Sequence, residues 1–377
     1  MRIFEPRVAS LLSRAGVSLN DPDARLSVRI NNPRVFQRFL LGGTIGLGES
    51  FVDGDWDCDD LSELFRCVIA AGADRGRGGI PGALTALAWV FRNAQSINRA
   101  HHVARDHYDL GNNLYRAMLD PRMVYTCAYY GRGAETLEQA QEEKLRLVCE
   151  KIDLRSGQRV LDIGCGWGSF AKFAAEKYGA HVVGIANSDE QLSLARELCK
   201  GLSVDLLNLD YRYAPDTLGH ASFDHVVSIG MFEAVGPKNF RTYMRVAKAV
   251  LKPDGLFLLH TIGMQDGGFD PWIERHIFPN GYLPSLEQIG RAVRDVFVIE
   301  DVHNFGTDYD RTLCAWYENF EAAWSELAAA GVYDERFRRK WAYYLLQCAG
   351  AFRARSTHLW QIVLSPYGVP GGYQSIR

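Results

Sequence analysis

The segment VLDIGCGWGSF, residues 160 to 170, constrains the fold of this chain more tightly than any other stretch. An apolar run suited to a buried strand ends in Gly164, Gly166 and Gly168, and a helical pattern starts at Ser169. Glycines at such a corner let the backbone turn sharply and let a ligand approach with no Cβ in the way, with a helix N-terminus behind it. The flanking pattern fits. Helices are expected at 138–152, 169–178, 189–199 and 239–250. Strands are expected at 159–163, 181–185, 204–207, 223–229 and 256–260, with 296–304 and 360–365 as a final pair. Alternation of this kind predicts an α/β fold with a mostly parallel sheet covered on both faces.

The loop discriminates between ligands. A dinucleotide site wants GxGxxG and an acid at the end of the second strand, whereas here position 169 is Ser169 and that strand ends Ile185-Ala186-Asn187. The form present is GxGxG with Asp162 two residues before Gly164. Composition narrows the field further. A length of 377 residues predicts roughly two to three folding units, and 47% apolar residues exclude a disordered chain. The net charge of -3 argues against nucleic acid as a partner. Eight cysteines without a CxxC pair signal neither zinc nor a redox dithiol, so no metal site is expected. The N-terminal apolar stretch between Arg7 and Arg14 is too short for a signal peptide, and no window is apolar enough to cross a bilayer. The expectation is a cytoplasmic protein that meets a membrane only peripherally.

Three regions follow along the chain. Residues 1–72 read as a small α+β domain with a possible lipid-docking role. Its acidic string Asp53, Asp55, Asp57, Asp59 and Asp60 lacks the glycine and terminal Glu of a calcium loop, so a solvated strand edge or a helix N-terminus is expected. Residues 73–106 form a basic amphipathic linker. From Arg75 to Arg105 it holds five arginines, His101 and His102 and no acid, which suits either adsorption to an anionic lipid surface or a plain linker helix. Residues 107–377 make the catalytic domain, with two aromatic-rich helices inserted near 312–353.

The GxGxG loop with Asp162 resembles the first motif of the class I S-adenosyl-L-methionine-dependent methyltransferases. More of the chain resembles one family among them, the cyclopropane-fatty-acyl-phospholipid synthases and their mycolic acid relatives. The resemblance is carried by HYDLGNNLYRAMLDPRMVYTCAYY (107–130), LDIGCGWGS (161–169), GMFEAVGPKN (230–239), LLHTIG (258–263), FPNGYLPS (278–285), HNFGTDYD (303–310) and CAGAFRAR (348–355). The N-terminal LSVRINNPRVFQRFL and GTIGLGESF are similar to the extra domain of the phospholipid enzymes, which the mycolic acid branch lacks.

The resemblance implies a Rossmann-like seven-stranded sheet. It implies S-adenosyl-L-methionine held by Tyr125, Thr126, Leu161, Asp162, Ile163, Gly164, Cys165, Gly166, Trp167, Gly168, Ser169, Ala186, Asn187, Ser188, Gln191, Asp210, Tyr211 and Arg212. It implies a bound bicarbonate as base, among Cys127, Glu233, His260, Ile262 and Tyr309. Glu233 instead capping the helix at Asn239 or meeting Lys238 is the plain alternative, and Cys348 is either a nucleophile or a small buried hydrophobe. The implied reaction is cyclopropanation of cis double bonds in membrane phospholipid acyl chains by a homodimer. Aromatic residues around Trp316, Tyr317, Phe320, Trp324, Trp341, Tyr343 and Tyr344 are expected to line an acyl tunnel or to form plain core. Two departures stand out: the family usually has Thr at Ala186, and the phospholipid enzymes commonly have His at Ala234. The second motivates an alternative product, a methyl-branched or methylene chain. A lipid-binding regulator without catalysis is the third reading.

Overall fold

The computed structural model describes residues 5–72 and 111–377, so the basic linker at 73–106 lies outside the described residues. The chain divides into two compact units.

The larger unit comprises residues 111–268, 280–308 and 358–377 of the described chain. Its sheet contains β4 (Arg159–Ile163), β5 (His181–Ala186), β6 (Val204–Asn208), β7 (Phe223–Ile229), β8 (Leu251–Met264), β9 (Val298–Asn304) and β10 (Thr357–Ser365). Their order across the sheet is β6-β5-β4-β7-β8-β10-β9. Strands β6, β5, β4, β7 and β8 run parallel to one another, and β9 and β10 form the expected final pair, antiparallel to each other. Strands β4, β5 and β7 carry near-continuous Val, Leu and Ile because helices cover both faces. One face packs against helices Phe240–Val250 and Leu286–Val293, the other against Leu137–Lys151 and Ser169–Tyr178. Order reverses between β4 and β7, the place where ligands bind at the carboxy ends of strands in such sheets.

The smaller unit comprises residues 5–72, 269–279 and 309–357 of the described chain. Its sheet is β1 (Ser18–Leu19), β2 (Ser27–Ile30) and β3 (Trp56–Cys58), with β1 parallel and β3 antiparallel to β2. The inserted region holds three helices, Thr307–Ala322, Trp324–Ala329 and Glu335–Arg353, where two were expected. It groups with the N-terminal segment, so the division departs from a single boundary at residue 72. Half-buried arginines tie the two segments together. Arg339 donates to the carbonyls of Phe51 and Trp56 and to Asp57, and Arg353 pairs with Asp310 at 2.8 Å and Glu63 at 3.4 Å.

The acidic string meets these arginines. Asp55 is buried and pairs with Arg34 and Arg38, and Asp60 caps the helix Leu61–Ala70. No cluster able to hold a metal occurs among the described residues. Five of the seven aromatic residues named in the insertion are core, whereas Tyr317 and Trp324 are half-buried. Trp316, Phe320, Trp341, Tyr343 and Tyr344 are all buried, and Tyr343 stands 4.5 Å from Trp272, centroid to centroid. No helix among the described residues is long and apolar enough to cross a membrane.

Helix Glu335–Arg353 approaches Leu61–Ala70 across Gly350. A Cβ there would stand 2.5 Å from the Ser62 carbonyl oxygen and 2.6 Å from the Phe65 Cβ. Gly350→Ala is therefore expected to destabilise the protein by about 2 kcal/mol, the cost of overpacking against backbone. Urea denaturation checks this, and an unchanged midpoint would show that the two helices do not touch.

Candidate active site

A cleft of about 560 Å³, its open mouth included, lies at the switch point of the larger unit. Nine residues named from the sequence line it: Tyr125, Thr126, Asp162, Gly164, Cys165, Gly166, Trp167, Ser169 and Gln191. Gly164 turns at φ +90°, and a Cβ on it would stand 2.6 Å from the Met231 side chain, so the corner needs glycine. The Gly164 and Cys165 amides both donate to the Ile185 carbonyl, which fastens the loop to the end of β5. Tyr115 packs edge-on against Tyr125 at 5.2 Å and tilted against Trp167 at 4.8 Å, and the Trp167 indole donates to Asn112. An aromatic wall results.

The other cofactor residues inferred from the sequence fall around this cleft rather than on its lining. Leu161 and Ile163 point into the core. Gly168 packs against Cys199. Ala186 ends β5, Asn187 and Ser188 follow it, and Ser188 caps the helix Asp189–Leu198 by accepting from the Gln191 amide. After β6, Asp210 accepts from the Arg212 amide and guanidinium, and that guanidinium lies over the Tyr211 ring.

Asp162 is buried, and desolvation pushes its carboxyl up to about 7 against the pull of Lys144. Lys144 also lines the cleft but is not among the residues picked from the sequence. It projects with Gln141 from the helix Leu137–Lys151, and both are fully buried. Gln141 donates to the carbonyls of Val124 and Thr126, and Lys144 donates to the Thr126 hydroxyl at 2.7 Å. The pair holds the segment Met123 to Thr126 over the cleft. A signal for it existed. Two polar side chains three apart on the apolar stripe of an amphipathic helix are out of place unless they have partners.

A second group sits at the ends of β7 and β8. Glu233 lies in a single turn after β7, and its Oε1 accepts from the Ile262 amide at 2.6 Å. Neither helix capping at Asn239 nor pairing with Lys238 is what the carboxylate does. Its Oε2 is buried and accepts no hydrogen bond. Burial pushes Glu233 up to about 7, opposed by the Ile262 amide. His260 pairs with Ile229 across the strands, shares its Nδ1 with the Gln361 amide at 3.3 Å, and leaves a buried Nε2 without a partner. Burial, aided by Lys144 and Lys151, holds its pKa well below the ordinary range, so the ring is neutral. Cys127 is fully buried beside Thr126, with its thiol toward the Ala128 carbonyl. Thr126 in turn lies against Gly230, whose Cβ would meet the Thr126 methyl at 2.6 Å, so the two groups adjoin. Ala234 is exposed.

Tyr309 and Cys348 belong to the smaller unit. The Tyr309 ring packs 4.6 Å from Phe352. Burial and the charge of Asp270 raise the Cys348 thiol, the reverse of what activates a cysteine nucleophile.

A seven-stranded, mostly parallel sheet with a glycine corner, an acid before it and a cleft at the switch point defines an S-adenosylmethionine-dependent methyltransferase. Solved structures agree. The cyclopropane synthase MmaA2 from Mycobacterium tuberculosis superimposes with a TM-score of 0.64 at 29% identity, covering 70% of this chain and 97% of its own. The mycolic acid cyclopropane synthase CmaA1, solved with SAH and CTAB, does so with the same score, identity and coverage. The model of the mycolic acid cyclopropane synthetase family matches residues 95–362. The cyclopropane-fatty-acyl-phospholipid synthase of Escherichia coli K12 is 50% identical over 98% of this chain and 96% of its own. A probable fatty acid methyltransferase of Pseudomonas putida is 34% identical over 92% and 89%. The chain belongs to the mycolic acid cyclopropane synthetase family.

Glu233 titrates near 4.5 in the unfolded chain and near 7 when folded. Between those values the folded state binds the extra proton, so this group's contribution to stability falls as pH rises through that window and then levels off. Glu233→Gln lacks the effect, whereas Asp162 is common to both proteins and cancels. The stability of the Gln variant relative to wild type is expected to rise by about 3 kcal/mol between pH 4.5 and pH 8. Urea denaturation at both values checks it, and an identical difference at the two pH values would refute the raised carboxyl.

Proposed function

We propose that this chain transfers a methylene from S-adenosyl-L-methionine to the cis double bond of unsaturated phospholipid acyl chains, giving cyclopropanes. The observation that carries the reading is the group adjoining the glycine-loop cleft, in which the half-buried Glu233 keeps a buried Oε2, bonds the Ile262 amide and stands with the buried His260. The near full-length similarity to the Escherichia coli enzyme supports it.

An alkene is a weak nucleophile, so the protein's work is to align it with an electrophile and keep water away. The cofactor supplies that electrophile as a sulfonium methyl, and a bound bicarbonate supplies the base. Tyr125, Trp167, Asp162 and Gln191 suit the cofactor, since they give the cleft an aromatic wall and polar ends. The residues also suit an anion. A neutral His260 with a free Nε2 can donate a hydrogen bond, and Glu233, held near 7, can carry the proton that makes its Oε2 a donor. Attack by the double bond leaves positive charge on the acyl chain, and loss of a proton from the new methyl closes the ring. Phe305, 6.0 Å from the His260 ring, adds an aromatic face on that side.

Reaching acyl chains requires adsorption to a membrane, so the proposal includes a cytoplasmic enzyme in peripheral contact with an anionic surface and acting as a homodimer. The alternative product, a methyl branch, rested on Ala234. Ala234 is exposed, whereas the Glu233 Oε2 is buried.

Incubation of purified protein with S-adenosylmethionine and vesicles of unsaturated phospholipid is expected to add one CH2 per chain with loss of the alkene and appearance of high-field cyclopropane protons. A branch methyl, or unchanged lipid, refutes the reading. Glu233→Gln is expected to lower kcat about 100-fold with little change in KM, the size of a lost proton-transfer partner. Removal of bicarbonate from the wild type is expected to do the same.

A further inference from the structure

One buried cation braces the wall of the cleft but takes no part in the chemistry above. Lys144 is 1% exposed, yet among the described residues its ammonium makes a single hydrogen bond, to the Thr126 hydroxyl oxygen. Asp120 and Asp162 attract it, but Asp120 spends its carboxylate on the Arg122 and Val124 amides. Burying an ammonium costs several kcal/mol unless something offsets it, and an ordinary helix would carry Leu or Met at such a position. Lys144, Thr126 and Asp162 all line the cleft.

The chemistry of the contact is directional. An ammonium only donates, so the Thr126 oxygen is the acceptor and its own hydrogen must point elsewhere, as a donor. We propose that Lys144 is a positioning residue that turns the Thr126 hydroxyl into a donor for the α-carboxylate of the cofactor's amino-acid end. Lys144 thereby acts on the charged end of the cofactor and not on the rest of it. This rests on the cleft being the cofactor site.

Binding to the apo protein separates the possibilities without any turnover. The probes are S-adenosylhomocysteine, which carries the amino-acid end, and methylthioadenosine, which lacks it, both measured by titration calorimetry. Wild type must bind both, and failure there sinks the cofactor-site reading itself. Lys144→Met is expected to weaken S-adenosylhomocysteine about 10- to 100-fold, the range for hydrogen bonds to a charged group, with methylthioadenosine unchanged. Equal loss of both ligands makes Lys144 a general support of the cleft and overturns the inference, as does no loss of either. Should Lys144→Met fail to fold, Thr126→Val decides. Selective loss of S-adenosylhomocysteine upholds the relay, and unchanged or parallel binding overturns it.

Discussion

The hydrogen bonds from Gln141 and Lys144 to the segment Met123 to Thr126 are the constraint on which the site depends. Without them that segment would be a connector between helices. With them it lines the cleft at the carboxy ends of β4 and β7, together with Asp162 and the glycine corner. Met123 takes a φ of +59°, rare for a residue with a side chain, and Ser169 at the start of the following helix fixes its carbonyl at 3.0 Å. The segment is thus held from two helices at once. Such over-determination lets a strained backbone persist beside a binding cleft.

The smaller unit solves another problem. Its three-stranded sheet is too small to supply a core. Helices from the chain's later part complete it, and arginines fasten them, reaching backbone carbonyls as well as carboxylates. Arg339 shows why arginine suits this role. One planar fork satisfies the Phe51 and Trp56 carbonyls and Asp57 while its face lies 4.2 Å from the Phe51 ring. Glu63, held down to about 2 chiefly by Arg66, stays charged and serves Arg353 as well.

Legibility in the sequence followed the range of the interaction. The sheet was legible because each strand is a local apolar run and each helix a local period, and β4, β7 and the helix Ser169–Tyr178 fall where the pattern put them. The glycine loop and Asp162 were legible because four positions within seven residues carry the chemistry. What the pattern hid is long-range. The partners of Arg339 and Arg353 lie some 280 residues away along the chain, so nothing near 312–353 revealed that these helices complete the N-terminal unit. Likewise β8 runs from Leu251 to Met264, well past the expected His260. Its register is continued by β10 and by the Glu233 and Pro284 contacts to its end, not by local apolar residues.

The electrostatics of the buried groups follow from one rule, that burial favours whichever form carries no charge. It holds His260 neutral and draws Asp162 and Glu233 toward 7 and Lys144 toward 8. A reaction that places positive charge on a hydrocarbon needs such an interior. A protonated imidazole would repel that charge, whereas a neutral ring can pass a hydrogen bond to a neighbouring anion. A carboxyl balanced near neutrality can hold or release a proton at little cost, and one fully ionised in the same place would require a cation beside it. Among the described residues no lysine or arginine pairs with Glu233, and the Ile262 amide, with a smaller contribution from Thr261, tempers it. The balance is therefore set by solvation, and any change that lets water reach the end of β8 would tip Glu233 toward the permanent carboxylate and remove the donor that an anion there requires.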